Sequence, residues 1–242
     1  VGSEMCIRDR DLADLRYSIQ MRKEWMTAQV LFNGQLDIVE YLDGGLTAKT
    51  VRQAQFNFTN KYIPDKKWGE AGYSVYDTFR AMGDMVHEGN GTVSIAVFGP
   101  EVRSFIEKDP ELLKMLDTRN AYFGRIEPGK ADLQRGTEHI GTLPNGVELY
   151  CYMGQYRETL KGAAANYIPK GKILVGSPKL LRAMFGPVAQ VEKEGELPKI
   201  YAKEEVPFRY SKTGGDSVMQ RLTSRPAIIP YDVDAWAIGT VL

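Results

Sequence analysis

From Arg10 to Asn33 the apolar side chains recur at steps of three and four residues. Leu12, Leu15, Ile19, Met26 and Val30 mark the stripe, and Met21, Trp25, Ala28 and Phe32 widen it. That period specifies an amphipathic helix, and Gly34 stands where a helix C-terminus favours a residue free to turn left-handed. At a rise of about 1.5 Å per residue the rod is roughly 35 Å long. Everything after it reads as shorter elements, so the fold has to arrange short pieces beside one long helix.

QLDIVEYL and AKTVRQAQFNFT follow, separated by Asp43, Gly44 and Gly45, and read as two antiparallel strands joined by a glycine turn. A loop with Pro64, Lys66, Lys67 and Trp68 leads to a predicted helix over 74–88, with Val75, Phe79, Met82 and Val86 on one face. Gly89, Asn90 and Gly91 end it, VSIAVF is a buried strand, and Gly99-Pro100 opens a helix over 101–108 that continues through Leu112, Leu113 and Leu116. HIGTLP and VELYCYMGQY flank Asn145-Gly146, the strongest short hairpin signal in a sequence. ILVG is a further strand, and SPKLLRAMFG is expected to form a short helix with Pro178 in its first turn. Residues 190–224 look charged and loop-like. RPAIIPYDVDAWAIGTVL closes the chain as two strands around a turn at 230–234. No internal repeat or low-complexity tract interrupts this order.

A chain of 242 residues can bury a sizeable core as one large domain or two smaller ones. Its 43% hydrophobic and 26% charged residues are those of a folded protein. Lys plus Arg equals Asp plus Glu at 31 each, which argues against a surface built chiefly to hold nucleic acid. Two cysteines, Cys6 and Cys151, are too few for a disulfide framework, and a reducing compartment fits them. No apolar run approaches the ~18 residues that cross a bilayer, and the start lacks the order of a secretion signal. The opening VGSEMCIRDR is read as translated from a sequencing adapter, so residues 1–9 are set aside and the natural protein is expected to extend upstream.

Chemistry is hard to place. The two histidines, His87 and His139, make no HExxH and no pair at metal spacing, and His87 reads as an ordinary helix-terminal residue. Neither GxxxxGK[ST] nor GxGxxG occurs, the glycines from Gly162 to Gly171 are loop composition, and there is no GxSxG elbow. Cys151 lies in an alternating apolar strand and reads as a buried structural thiol. Asp232 and Asp234 are the best carboxylate pair, able as i and i+2 neighbours to bind a cation or act as acid and base, although at a turn such residues more often cap backbone groups. The mixed-sign run KEGELPKIYAKEE reads as a solvated loop or a subunit contact. The Asn57-Phe58-Thr59 sequon reads as accidental, and the aromatics fall on core positions rather than among a basic cluster. No catalytic, cofactor-binding or metal-binding residue is therefore assigned, and no cofactor is expected.

Four blocks, taken in order, carry a resemblance. RKEWMTAQVLFNGQLDI, VSIAVFGPEVRSFI with KMLDTR, ELYCYMGQYRE with NYIPKGKILVGSP, and SRPAIIPYDVDAWAIGTVL together resemble the major capsid protein family of lambda-like tailed phages, the phage capsid E family. The resemblance spans Arg10 to Leu242. It implies an α+β, HK97-like capsid fold with a long spine helix, an antiparallel peripheral domain and an α/β axial domain. On that mapping residues 10–72 and 190–242 form the spine and peripheral domain, and 73–189 the axial domain. The family's N-terminal arm and extended loop, which precede the spine helix, have no counterpart here, which is read as truncation of a gene fragment.

The implied function is structural rather than enzymatic. The subunit would self-assemble into the pentamers and hexamers of an icosahedral head, in the virion capsid, assembled in the host cytoplasm. It would enclose double-stranded DNA without reading its sequence, with scaffold, decoration and portal proteins as further partners and no membrane. Two alternatives stand beside it: a soluble α/β enzyme using Asp232 and Asp234 with Arg225, and another virion component of the tail or connector.

Overall fold

The computed structural model describes residues 2–41, 49–112, 136–157, 162–191, 197–211 and 218–242. The first helix, α1, spans Gly2–Asn33. It ends where the sequence requires, at Gly34 with φ +68°, whose N–H donates to the Val30 carbonyl at 3.0 Å. A side chain at Gly34 would also meet the Cβ of Phe58 at 3.0 Å, so the chain reversal needs glycine for both reasons. Strands β1 (Gln35–Tyr41) and β2 (Lys49–Gln55) then pair antiparallel, Gln35 opposite Gln55. The turn expected at Asp43 to Gly45 lies outside the described residues.

The chain continues through β3 (Lys61–Tyr62), α2 (Val75–Glu88), β4 (Ile95–Phe98), α3 (Pro100–Lys108), β5 (Thr137–Thr142), β6 (Glu148–Tyr152), β7 (Gln155–Tyr156), β8 (Ala165–Asn166) and β9 (Lys172–Gly176). It ends with β10 (Leu181–Phe185), β11 (Val188–Gln190), β12 (Lys199–Tyr201), β13 (Val206–Ser211), β14 (Val218–Thr223), β15 (Pro226–Pro230) and β16 (Ala237–Thr240). Two compact units divide it: residues 1–27 with 181–229, and residues 28–180 with 230–242.

The larger unit is organised by a six-stranded mixed sheet in the order β3, β16, β9, β4, β6, β5. β16 runs parallel to β3 and β4 parallel to β6, and the other pairings are antiparallel. Register puts Ala96 beside Val175 and Leu149, Phe98 beside Ile173 and Cys151, and Ala237 beside Val175. These residues share one face because side chains alternate along a strand. That apolar face forms one core with Val75, Phe79, Met82 and Val86 of α2 and Val102 and Ile106 of α3. Each of these side chains, when fully buried, contributes about 1.5–3 kcal/mol of transfer free energy.

Helix α2 begins as predicted from Ser74, whose Oγ accepts the N–H of Asp77 at 3.2 Å. The hairpin at Asn145-Gly146 forms as well. Gly146 takes φ +87°, and Leu143 and Val147 close the turn at 2.8 Å, the Leu143 N–H donating to the Val147 carbonyl.

The smaller unit corrects two expectations. SPKLLRAMFG forms no helix; Leu181–Phe185 is the strand β10 and pairs with β15. A stretch this short has little helical stability of its own in water, so pairing with a partner strand overrides its pattern. The described residues of 190–224 are not chiefly loop. They carry the hairpins β11–β12, Val188 opposite Tyr201, and β13–β14, Val206 opposite Thr223. Both are two-stranded ribbons with much of their side-chain surface exposed, so charged residues sit along them and blur the alternation that marks a half-buried strand. Within this unit Arg16 of α1 pairs with Glu205 at 3.1 Å, Lys23 pairs with Glu204, and the Lys23 ammonium stands 4.9 Å from the centre of the Phe185 ring.

Candidate functional site

The two aspartates singled out by sequence have unequal roles. Asp234 sits at φ +71°, and its carboxylate accepts the N–H and the hydroxyl of Thr59, each at 2.8 Å, and the Asn60 N–H at 3.2 Å. Asn60 returns a bond from its side-chain amide to the Asp234 carbonyl at 2.8 Å. The carboxylate thereby takes three donors from the segment before β3, the backbone-capping role usual at a turn. Asp232 is exposed nearby. Arg225 donates to the Pro187 carbonyl at 3.1 Å within the smaller unit. The Thr59 hydroxyl belongs to the same clamp, and Phe58 stacks on Trp236 with ring centres 4.9 Å apart.

Cys151 is fully buried in the sheet face covered by α2 and α3. Burial pushes its thiol pKa up, against a smaller lowering by the charge of Arg103. That is the opposite of what a thiolate nucleophile requires. Arg103 forks onto Glu138 at 2.6 and 3.1 Å and bonds Glu107 at 2.7 Å, and the Glu107 hydrogen bond leads the effects that raise its own pKa. His139 is exposed and tilts over Tyr150 at 5.1 Å between ring centres. His87 contacts the Gly91 carbonyl through Nδ1 at 3.2 Å, a helix-end contact as expected. The glycine-rich stretch 162–171 carries β8 and the buried Tyr167 and Ile168. Among the described residues no group of three or more His, Cys, Asp or Glu could hold a metal ion, and no helix is long and apolar enough to cross a membrane.

Two features escaped the sequence reading. Asp109 is buried, and one of its oxygens accepts the Val75 N–H at the start of α2 at 3.0 Å. The other accepts the N–H groups of Glu111 and Leu112 at 2.9 and 3.3 Å. One carboxylate thus caps two helical starts, a role that Asp followed by Pro110 and then an apolar pair signals locally. The second feature is a cleft of about 400 Å³ lined by Phe32, Asn33, Gln35, Lys61, Ile63, Lys172, Ile238 and Thr240. No local pattern could reveal it, because its two lysines come from β3 and β9 and meet across β16.

Among the described residues the geometry presents carboxylates that cap backbone groups, a buried thiol and an open basic cleft. The family model for phage major capsid protein E matches residues 4–241, nearly the whole chain. The chain belongs to the phage major capsid protein E family. Among solved structures, this family member is similar to a protein assigned as the capsid protein of a prophage of E. coli CFT073. The TM-score is 0.73 and the identity 15%, covering 96% of this chain and 66% of that one. It also resembles a phage-related protein of Bordetella bronchiseptica RB50, with a TM-score of 0.55 and 8% identity, covering 97% of this chain and 67% of that one. This capsid-family chain therefore spans about two thirds of the length of each solved relative. Identities this low carry the mixed helix-and-sheet fold alone. No curated protein matches the sequence.

Proposed function

We propose that the chain is a head-shell subunit with the HK97-like layout, assembling into the pentamers and hexamers of an icosahedral phage head around double-stranded DNA. The observation that carries this reading is the capsid family match over residues 4–241, supported by the likeness to a prophage capsid protein over 96% of the chain. In this reading residues 10–72 and 190–242 make the spine and periphery and 73–189 the axial domain. The enclosed DNA is held without base readout, and scaffold, decoration and portal proteins are the outside partners. The place of action is the virion, after assembly in the host cytoplasm.

A shell suits a chain of this kind physically. A symmetric lattice repeats one moderate interface many times, so weak pairwise contacts add to a stable particle. A balanced net charge, 31 of each sign, lets like subunits pack closely without strong mutual repulsion. Sedimentation of the purified full gene product tests the class. A shell subunit runs as capsomers or far larger particles. A small fixed oligomer showing neither would return attention to an enzyme built on Asp232, Asp234 and Arg225.

A further inference from the structure

The edge of the six-stranded sheet holds two ammonium groups that the described protein does not neutralise. Register fixes how they meet. Lys61 on β3 lies opposite Ile238 on β16, and Lys172 on β9 lies opposite Thr240 on β16. Ile238 and Thr240 are two residues apart, so they, Lys61 and Lys172 share one face of the sheet. The neighbouring Gly239 faces the other way, where an added Cβ would strike Met82 of α2. The lysine face is therefore the one turned away from α2. Phe32 and Asn33 at the end of α1, with Gln35, wall it into a cleft of about 400 Å³.

The lining contains no aspartate or glutamate. Among the described residues neither ammonium lies within ion-pair distance of a carboxylate. Lys172 is half-buried and its pKa is lowered, first by desolvation and then by the positive charge of Lys61. The folded chain thus holds two like charges together in a recess where an anion would relieve both. Among the described residues β3 pairs only with β16, which leaves its outer edge open, and Ile63 beside it is 70% exposed.

We propose that this cleft is an anion-binding site whose ligand is a carboxylate side chain of a neighbouring copy of the chain, seated between Lys61 and Lys172 against Ile63 and Ile238. The surroundings favour a protein carboxylate over a phosphate of DNA, because the cleft opens beside the exposed Ile63 and the unpaired edge of β3, a surface that another protein chain can cover. Phe32, Ile63 and Ile238 in its wall offer apolar contact to the aliphatic stem of an acidic side chain. Phosphate backbones are met instead by many protruding cations along an open track. A second copy is the occupant that the head-shell reading places beside every subunit, and each copy carries 31 aspartates and glutamates. The proposal rests on the head-shell reading for its partner, but the site can be tested without a shell.

The experiment has two arms. In the first, the unassembled full gene product is titrated with glutarate and, separately, with inorganic phosphate, followed by backbone amide resonances. Glutarate is expected to shift Ile63, Ile238 and Thr240, to bind at least as tightly as phosphate, and to lose at least tenfold in affinity in Lys61→Gln/Lys172→Gln. In the second, the concentration at which subunits associate is expected to rise about tenfold in that double variant, with its thermal unfolding midpoint not lowered. No localised glutarate shift overturns the site. Phosphate binding tenfold tighter than glutarate overturns the carboxylate in favour of a nucleic-acid contact, and unchanged association overturns the neighbouring copy as its source. If the parent protein forms no assembly at all, the head-shell reading and the neighbouring-copy source fail together, while the titration still decides whether the cleft binds a carboxylate.

Discussion

Asp234 and Thr59 hold the start of β3 against the start of β16: one carboxylate takes both the N–H and the hydroxyl of Thr59, each at 2.8 Å. Hydrogen bonds to a charged acceptor are worth more than neutral ones. Asp234→Ala is therefore expected to lower stability by about 2–3 kcal/mol. Asp234→Asn should lose less, since asparagine tolerates the left-handed backbone at this position. The exposed Asp232→Ala should stay within about 0.5 kcal/mol. Urea unfolding of the three variants measures the order, and equal losses at 232 and 234 would contradict it.

Trp236 ties the end of α1 to the sheet. It is fully buried, stacks on Phe58, and donates its indole N–H to the Leu31 carbonyl at 3.0 Å. Trp236→Ala is expected to cost about 3–5 kcal/mol. Trp236→Phe keeps the stack and loses the bond at the helix end, so about 1–2 kcal/mol is expected. Thermal unfolding distinguishes the two.

Gly239 is where β16 passes beneath α2. A Cβ there would lie 2.8 Å from both Ile173 Cγ1 and Met82 Sδ. Gly239→Ala should destabilise by about 1–3 kcal/mol through overpacking. Because the conflict is partly with one flexible side chain, a double-mutant cycle with Met82→Ala should show that the two losses sum to more than the double variant loses. Strict additivity would mean the clash is elsewhere.

The Cys151 thiol gives a pH signature. Burial raises its pKa in the folded state, so the folded chain keeps a proton that the unfolded chain releases. Its contribution is complete below the ordinary thiol range and is lost as pH rises through that range toward the folded value. Cys151→Ala should therefore flatten the fall in stability between about pH 8 and pH 10 relative to the parent. Comparing the two proteins cancels the other alkaline groups, including Tyr62, which burial also raises, and Lys172, which moves the opposite way. An unchanged slope would contradict the assignment.

Sequence made the strongly local features legible. The stop at Gly34 and the Asn145-Gly146 turn each need one residue type at one place, and both stand where they were expected. The helix expected over 177–186 and the loop expected over 190–224 give way to strands that are short and, among the described residues, pair in two-stranded ribbons, so neither face carries a clean apolar pattern. Asp234 was legible as a turn residue, but its partners Thr59 and Asn60 were not, lying far away in the chain. The same distance hid the lysine cleft, whose walls are assembled only when β3, β16 and β9 come side by side.

A shell is what this chain is proposed to build. Electron microscopy of the full gene product, expressed alone and together with its genomic neighbours, tests it most directly. Closed or aberrant shells showing five-fold and six-fold units are the predicted result. Small soluble species alone under both conditions, or rings and tubes of another symmetry, would contradict it.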